Sequence, residues 1–276
     1  ASLQIKFGVQ WGLFGSAILN LGTDYHHKTF LPGVTRLDTP GCFAMTETGH
    51  GSDVASIGTT ATYDPATQEF VVNTPDRHSY KDYIGNAALH GEAAVVFAQL
   101  YTEGENQGVH AFYVPLRKRG KLLPGVGAED DGLKGGLNGI DNGRLHFNQV
   151  RIPRANLLNR YADVEPDGTY TSSIENKGRR FFTQLGALVQ GRVSLTGAVT
   201  NAQKLALDIA VRYSLARKQF HGSDGEETTL LDYGRHQRRL IPLIALTYAQ
   251  IFTHQEMLNQ YHAVFSGEND TDEARS

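Results

Sequence analysis

Hydroxyls, glycines and a histidine crowd the segment Ala44-Met45-Thr46-Glu47-Thr48-Gly49-His50-Gly51-Ser52-Asp53, directly behind an apolar run. Glycine lets backbone come close to a ligand, and short hydroxyls supply donors and acceptors, so the segment suits a loop that cradles a cofactor or substrate. A plain turn accounts for it equally well in isolation. Two sharper chemistries fail on spacing: Ser52 falls one place late for a G-x-S-x-G nucleophile elbow, and no G-x-x-x-x-G-K-[ST] phosphate loop occurs. A second element, Lys81-Asp82-Tyr83-Ile84-Gly85-Asn86, puts an aromatic and then a small residue at a strand end, where a planar ring can rest against backbone; a packed aromatic is the bland alternative. A third, Arg212 to Phe220, sets cations at the end of a helical pattern, as the helix dipole favours. Dipole capping leaves unexplained Gln219-Phe220 behind it and His236-Gln237 one loop later, beside Arg235, Arg238 and Arg239.

The elements that must position these residues change texture along the chain. Val9, Trp11, Leu13, Phe14, Ile18 and Leu21 recur at helical spacing between Leu3 and Leu21, with Gly22 as a stop. From Gly41 to about Val150 short apolar or alternating runs lie between Gly, Pro, Asn and Asp clusters, which predicts an all-β domain of short strands. Asp64-Pro65-Ala66-Thr67 between two such runs predicts a hairpin. Apolar residues at i, i+3 and i+4 from Phe181 to Phe220 predict one helix of about 40 residues, roughly 60 Å long, suited to a bundle or subunit interface. A second helix is expected from about Thr229 to Phe265, kinked or interrupted at Pro242.

Composition narrows the classes. The 276 residues hold 26 basic and 29 acidic side chains, a net charge of −3, so no strong field draws the chain to nucleic acid or an anionic membrane. Cys42 is the single cysteine, which excludes an internal disulfide framework and multi-cysteine metal sites; no metal site is expected, and a reducing compartment is the natural setting. The longest oily run, Leu240 to Leu246, is interrupted by Pro242 and falls far short of a membrane span. Ala1-Ser2-Leu3-Gln4 enters its helical pattern abruptly and reads as a cut site, while Ser266 to Ser276 reads as a flexible acidic tail.

Taken in order, these segments resemble the acyl-CoA dehydrogenase superfamily, and most closely its acyl-CoA oxidase branch. The resemblance runs from Leu3 to about Phe265 and includes Gly139-Ile140-Asp141-Asn142-Gly143, Val150-Arg151-Ile152-Pro153-Arg154 and Arg212-Tyr213-Ser214. It implies an α+β multidomain fold: residues 1–40 end an N-terminal helical domain, 41–165 form a barrel-like β-domain holding the flavin and acyl-CoA contacts, and 166–276 open a C-terminal bundle of long helices. The family binds FAD, and its T-E-x-G-x-G-S-D loop matches Thr46 to Asp53. By that match Phe43, Met45, Thr46, Gly51 and Ser52 are expected at the flavin, with Ser52 also facing the thioester. Tyr83, Ile84 and Gly85 match the family's W-I-[ST] segment, with Tyr for Trp and Gly for the hydroxyl residue, so a more backbone-like contact is expected. Arg192 matches a substrate-side arginine. Arg217, Gln219 and Phe220 match an R-x-[QT]-F segment that reaches the FAD of a neighbouring subunit, and His236 and Gln237 a following pair of similar role. A homodimer or dimer of dimers sharing its FAD follows from that match.

The activity implied is α,β-desaturation of a fatty acyl-CoA to the trans-2-enoyl-CoA, with oxygen as acceptor and peroxide as product. The alternative is a dehydrogenase that passes electrons to a protein. The family's catalytic base is a Glu expected beyond residue 276, so no catalytic residue is assigned here; Glu47 and Asp53 are expected to bond loop amides. Two further readings stay open: a DNA-associated member of the fold, seeded by Arg235, Arg238 and Arg239, against which the net charge speaks, and a scaffold subunit that keeps the dimer surface without the base. A bacterial cytoplasm is the default placement, with the peroxisome as the eukaryotic alternative.

Overall fold

Which face of each strand turns inward is set by period-2 alternation, and β-structure dominates the first two thirds of the chain. The computed structural model describes residues 2–265; the expected tail at 266–276 lies outside them. Two units are present, Ala1–Leu188 and Val189–Ser276.

In the first unit the expected N-terminal helix forms in three continuous pieces, α1 (Ser2–Phe7), a π-helical stretch (Gly8–Gly15) and α2 (Ser16–Leu21), ending at Gly22. The wide π turn sets Ile5, Val9 and Leu13, four apart, along one side. Helix α3 (Asp24–Thr35) has no counterpart among the expected elements. Its N-terminus is closed by a capping box in which the Thr23 hydroxyl and the His26 ring each meet the other's end of the first turn.

The strands follow the sequence pattern. β1 (Gly41–Ala44), β2 (Thr60–Asp64), β3 (Glu69–Asn73), β4 (Lys81–Gly85), β5 (Ala93–Thr102) and β6 (Glu105–Pro115) are succeeded by the short β7 (Arg117–Lys118) and β8 (Lys121–Leu122). Then come β9 (Val126–Asp130), β10 (Asn142–Phe147), β11 (Val150–Pro153), β12 (Ala162–Val164) and β13 (Tyr170–Ser172). β2 and β3 form the expected hairpin, in register Thr60 to Asn73 through Asp64 to Glu69. Asp64 accepts a hydrogen bond from the Ala66 amide in the turn. The larger sheet has the order β1-β5-β2-β3-β11, with β6 also paired to β5; β4, β10 and β9 make a second sheet.

β5 shows how the core is divided. Ala94, Val96, Ala98 and Leu100 face one buried cluster with Phe70, Phe112 and Leu145, while Ala93, Val95 and Phe97 face another with Phe14, Ile18 and Val34. Both faces of this strand are therefore dry. The N-terminal helical stretch lies so close to β1 that a Cβ at Gly41 would sit 1.9 Å from the Phe14 ring. Cys42 beside it is fully buried, and a Cβ at Gly91 would come 2.4 Å from its sulfur.

The expected single helix from 181 to 220 is not observed. α4 (Lys177–Leu185) ends in a 3₁₀ turn at Gly186–Leu188, α5 (Val189–Ala216) carries 28 residues, and Lys218–His221 is strand β14, paired with β15 (Glu227–Thr229). Gly186 falls where the first helix ends, and Phe220 is held at φ 63, which no helix accommodates. The last helix, α6 (Gly234–Phe265), starts five residues later than expected because Leu230–Asp232 form a 3₁₀ turn, and it runs through Pro242 without a break in its assignment. In the second unit α5 and α6 pack on one another, with the Thr196 hydroxyl 2.8 Å from the His254 ring; a Cβ at Gly197 would stand 2.6 Å from that ring.

Candidate functional site

The two glycine-containing segments singled out by sequence are hydrogen-bonded to each other. The Asp82 amide donates to Thr46 O at 3.0 Å, the Thr48 amide to Tyr80 O at 2.9 Å and the Gly49 amide to His78 O at 2.7 Å, so the loop after β1 runs along β4 as an extra rung of sheet. A buried ion pair fastens this junction. Glu47 accepts from Lys81 Nζ at 2.8 Å, from the Gly58 and Thr59 amides at 2.7 and 3.0 Å, and from the Thr59 hydroxyl at 2.7 Å; Lys81 also donates to Met45 O at 3.1 Å. Neither charged side chain is exposed at all. Burial pushes the Glu47 carboxyl up, but the Lys81 charge and the four donors outweigh it and hold the group below its ordinary value. Burial drives Lys81 down to about 8, with Glu47 opposing. The expectation that Glu47 bonds loop amides is thus met in the geometry. Asp53 differs: it is exposed on the turn, where its amide donates to His50 O.

Above this junction opens a cleft of about 410 Å³, lined by Ile5, Val9 and Leu13 of the helical stretch, by Phe43 and Thr46, by Asp82 to Gly85, and by Lys134, Leu137, Ile140 and Asn142. Tyr83 is the conspicuous member. It is 70% exposed and stands at φ 56, a conformation that costs a non-glycine residue of order 1–3 kcal/mol unless its surroundings impose it. Here they do: its amide donates to Asp82 Oδ1 at 2.9 Å and its carbonyl accepts from Asn142 Nδ2 at 3.0 Å. Gly85 lets the helix come close, since a Cβ there would stand 3.0 Å from Val9 Cγ2. The wall at 134–142 is held by Lys134 Nζ donating to Ile140 O at 2.8 Å and by Asn138 Oδ1 accepting from the Lys134 amide.

Of the residues expected at a flavin, Phe43, Thr46, Tyr83, Ile84 and Gly85 share this cleft. Met45 is buried behind it, and Gly51, at φ 51, and Ser52 are exposed on the turn outside its lining. No site role was expected for Asp82, Lys134, Leu137, Ile140, Asn142 or the stripe Ile5, Val9, Leu13; the four-residue spacing of that stripe and the Asp141-Asn142-Gly143 turn run were the signals available.

In the second unit Arg192 is exposed near the start of α5. Arg217 follows the end of α5, and its guanidinium donates to the Gln219 side chain at 3.0 Å. Phe220 is 71% exposed on β14. The His236 ring meets the Ser214 hydroxyl at 2.6 Å, and the Gln237 amide donates to Tyr233 O at 3.0 Å. Gln219 and Phe220 therefore sit on a hairpin strand, with Arg217 closing the end of α5, its amide donating to Tyr213 O at 2.8 Å, beside a start of α6 fixed through His236.

Comparison with known proteins agrees with this architecture. Residues 42–150 match the acyl-CoA dehydrogenase middle domain and residues 185–276 the acyl-CoA oxidase C-alpha1 domain. The chain is 49% identical over 268 residues to the peroxisomal acyl-coenzyme A oxidase 2 of Arabidopsis thaliana, covering 94% of this chain and 39% of that protein. The crystal structure of acyl-CoA oxidase 1 from Yarrowia lipolytica superposes with a TM-score of 0.90 at 38% identity, over 96% of this chain and 39% of that one. Acyl-CoA oxidase 2 of Caenorhabditis elegans, bound with FAD, ascaroside-CoA and ATP, does so at 0.89 and 36% identity, over 95% and 39%. The chain thus spans about two fifths of the length of these relatives. With both family domains matched in order and such identity over nearly all its residues, the chain belongs to the acyl-CoA oxidase family.

Proposed function

We propose that this chain is the cofactor-cradling part of an FAD-dependent acyl-CoA oxidase that desaturates fatty acyl-CoA thioesters to trans-2-enoyl-CoA in β-oxidation. The observation that carries the reading is the cleft beside Tyr83: an apolar hollow with an exposed aromatic locked in a left-handed conformation, next to a loop tied to the same strand. Its shape suits a planar, mostly apolar ring with a polar edge. When bound, FAD would accept the β-hydrogen as hydride and be reoxidised by oxygen, giving hydrogen peroxide.

Phe43, Thr46, Tyr83, Ile84 and Gly85 would hold the ring, with Met45 and Gly51 shaping the loop behind Thr46. Ser52 and Arg192 are assigned to the acyl-CoA. Arg217, Gln219, Phe220, His236 and Gln237 are assigned to the FAD of a neighbouring copy in a homodimer, where a guanidinium would meet pyrophosphate. No carboxylate of this chain is assigned the α-proton, for which a Glu beyond residue 276 is expected; Glu47 and Asp82, the acids nearest the loop and cleft, already accept hydrogen bonds on both oxygens. The C. elegans relative's bound FAD and ascaroside-CoA support a flavin and a CoA thioester as ligands, and the Arabidopsis relative's name supports a peroxisomal setting in place of the bacterial cytoplasm.

The test is direct. The purified chain, mixed with FAD and passed through gel filtration, is expected to retain visible flavin absorption, and Arg217→Ala to retain less. A folded chain that elutes colourless would overturn the reading.

A further inference from the structure

We infer that Asp82 is a positioning residue for the flavin site, one carboxylate that clamps Tyr83 and the Thr46 loop into a single rigid wall. The inference rests on the FAD reading above. Asp82 is 4% exposed, and each of its oxygens has a definite task. Oδ1 accepts from the Tyr83 amide at 2.9 Å, and this bond is half of what holds Tyr83 in its left-handed conformation. Oδ2 accepts from the Thr48 hydroxyl at 2.9 Å, two residues past Thr46. The backbone amide of Asp82 donates to Thr46 O. The same residue thus touches both segments assigned to the ring, from behind, through three hydrogen bonds.

Its charge is balanced from one direction. Arg144 Nε donates to Asp82 Oδ1 at 3.0 Å, and Arg144 also lies 3.8 Å from Asp131, whose side chain is 5% exposed beside Asp82. Arg144 stands nearer Asp82 than Asp131, and burial together with the Asp82 charge pushes the Asp131 carboxyl up. A carboxylate held by an arginine on one side keeps its acceptors fixed for the amide and hydroxyl on the other, which a solvated side chain would not do. Placement behind an exposed, strained aromatic is what a supporting residue requires.

The experiment uses the full chain and titrates FAD by quenching of flavin fluorescence, with thermal melts alongside. Asp82→Ala is expected to weaken FAD by about tenfold or more, the loss of one charge-assisted contact. Asp82→Asn, whose amide oxygen can still accept from the Tyr83 amide, should recover most of that, and Thr48→Val should weaken binding by about two- to threefold. On a Tyr83→Ala background the Asp82→Ala effect should shrink to about threefold or less, because there is no longer a ring to position. Equal effects on both backgrounds would show a general structural role and overturn the inference, as would unchanged affinity in Asp82→Ala and Thr48→Val. Should Asp82→Ala fail to fold, Thr48→Val and Asp82→Asn decide the matter alone: unaltered binding in Thr48→Val overturns it. Failure of the unsubstituted chain to hold FAD would sink the flavin reading itself, and this inference with it.

Discussion

The same chemistry, an acid against a base, appears in the two units in opposite settings. Glu47 and Lys81 meet in the first unit with no exposed surface, locked by two amides, a hydroxyl and a carbonyl, whereas Arg212 and Asp208 meet one helical turn apart on α5 with side chains 78% and 54% exposed. The contrast extends to the apolar residues. Strand β5 buries both its faces, while Leu195, Val199, Leu205, Ile209 and Tyr213 of α5 and Phe252 of α6 are all more than half exposed. The first unit encloses a dry core whose polar groups fix backbone; the second leaves apolar helix faces exposed. Residues assigned to the cofactor differ in what holds their side chains: Tyr83 is fixed at its backbone with an exposed ring, and the Arg217 guanidinium, beyond a backbone bonded to Tyr213 and Leu230, meets Gln219.

The sharpest way to break this comparison is to remove one partner of the buried pair. Lys81→Met is expected to cost about 3–5 kcal/mol in urea denaturation, because Glu47 is left charged in a dry site; the double variant Lys81→Met/Glu47→Gln should recover part of it. Titration gives the next effect. His110 is buried, its ring meeting Gly108 O and the Tyr170 hydroxyl, each at 2.9 Å, and burial drives it down to about 4 from an ordinary 6.5. Between those values the unfolded chain binds the proton and the folded chain does not, so stability rises with pH through that window and falls on acidification. The wild type should lose up to about 3 kcal/mol from pH 7 to pH 4 by this route, and His110→Gln should flatten the slope in denaturation at matched pH values.

In the second unit the tightest point is Gly197 against His254. Gly197→Ala should cost about 1–3 kcal/mol, read as a lowered melting temperature, since the ring must move. The smallest effect belongs to the exposed pair: Arg212→Ala should shift melting by no more than the scatter between replicates. If Arg212→Ala matched Lys81→Met, the contrast between the units would collapse.

How much of this was legible in the sequence depended on whether the signal was local. The β2–β3 hairpin was readable because alternation and a turn sequence lie within 14 residues, Thr60 to Asn73. The helix ending at Gly22 was readable for a similar reason. Helix α3 was not, since only the Thr23 cap marks it and Pro32 lies inside it. The supposed 40-residue helix failed because apolar periodicity carries across Gly186 and past Ala216 while the backbone does not; Phe220 at positive φ is a tertiary fact. At the site, Thr46 and Tyr83 were legible through motif resemblance. Asp82 and Asn142 were not, because their roles come from segments far apart in sequence, Asn142 reaching Tyr83 O from 59 residues away and Asp82 meeting Thr48 across 34.

The buried Cys42 has a chemical consequence for an enzyme of the proposed kind, whose product is hydrogen peroxide. Peroxide attacks thiolates, and this sulfur has neither access nor charge: it is fully enclosed beside Gly91, and burial pushes its thiol far above the ordinary range. With no other cysteine in its 276 residues, the chain presents no accessible thiolate from which an oxidant could form a sulfenic acid.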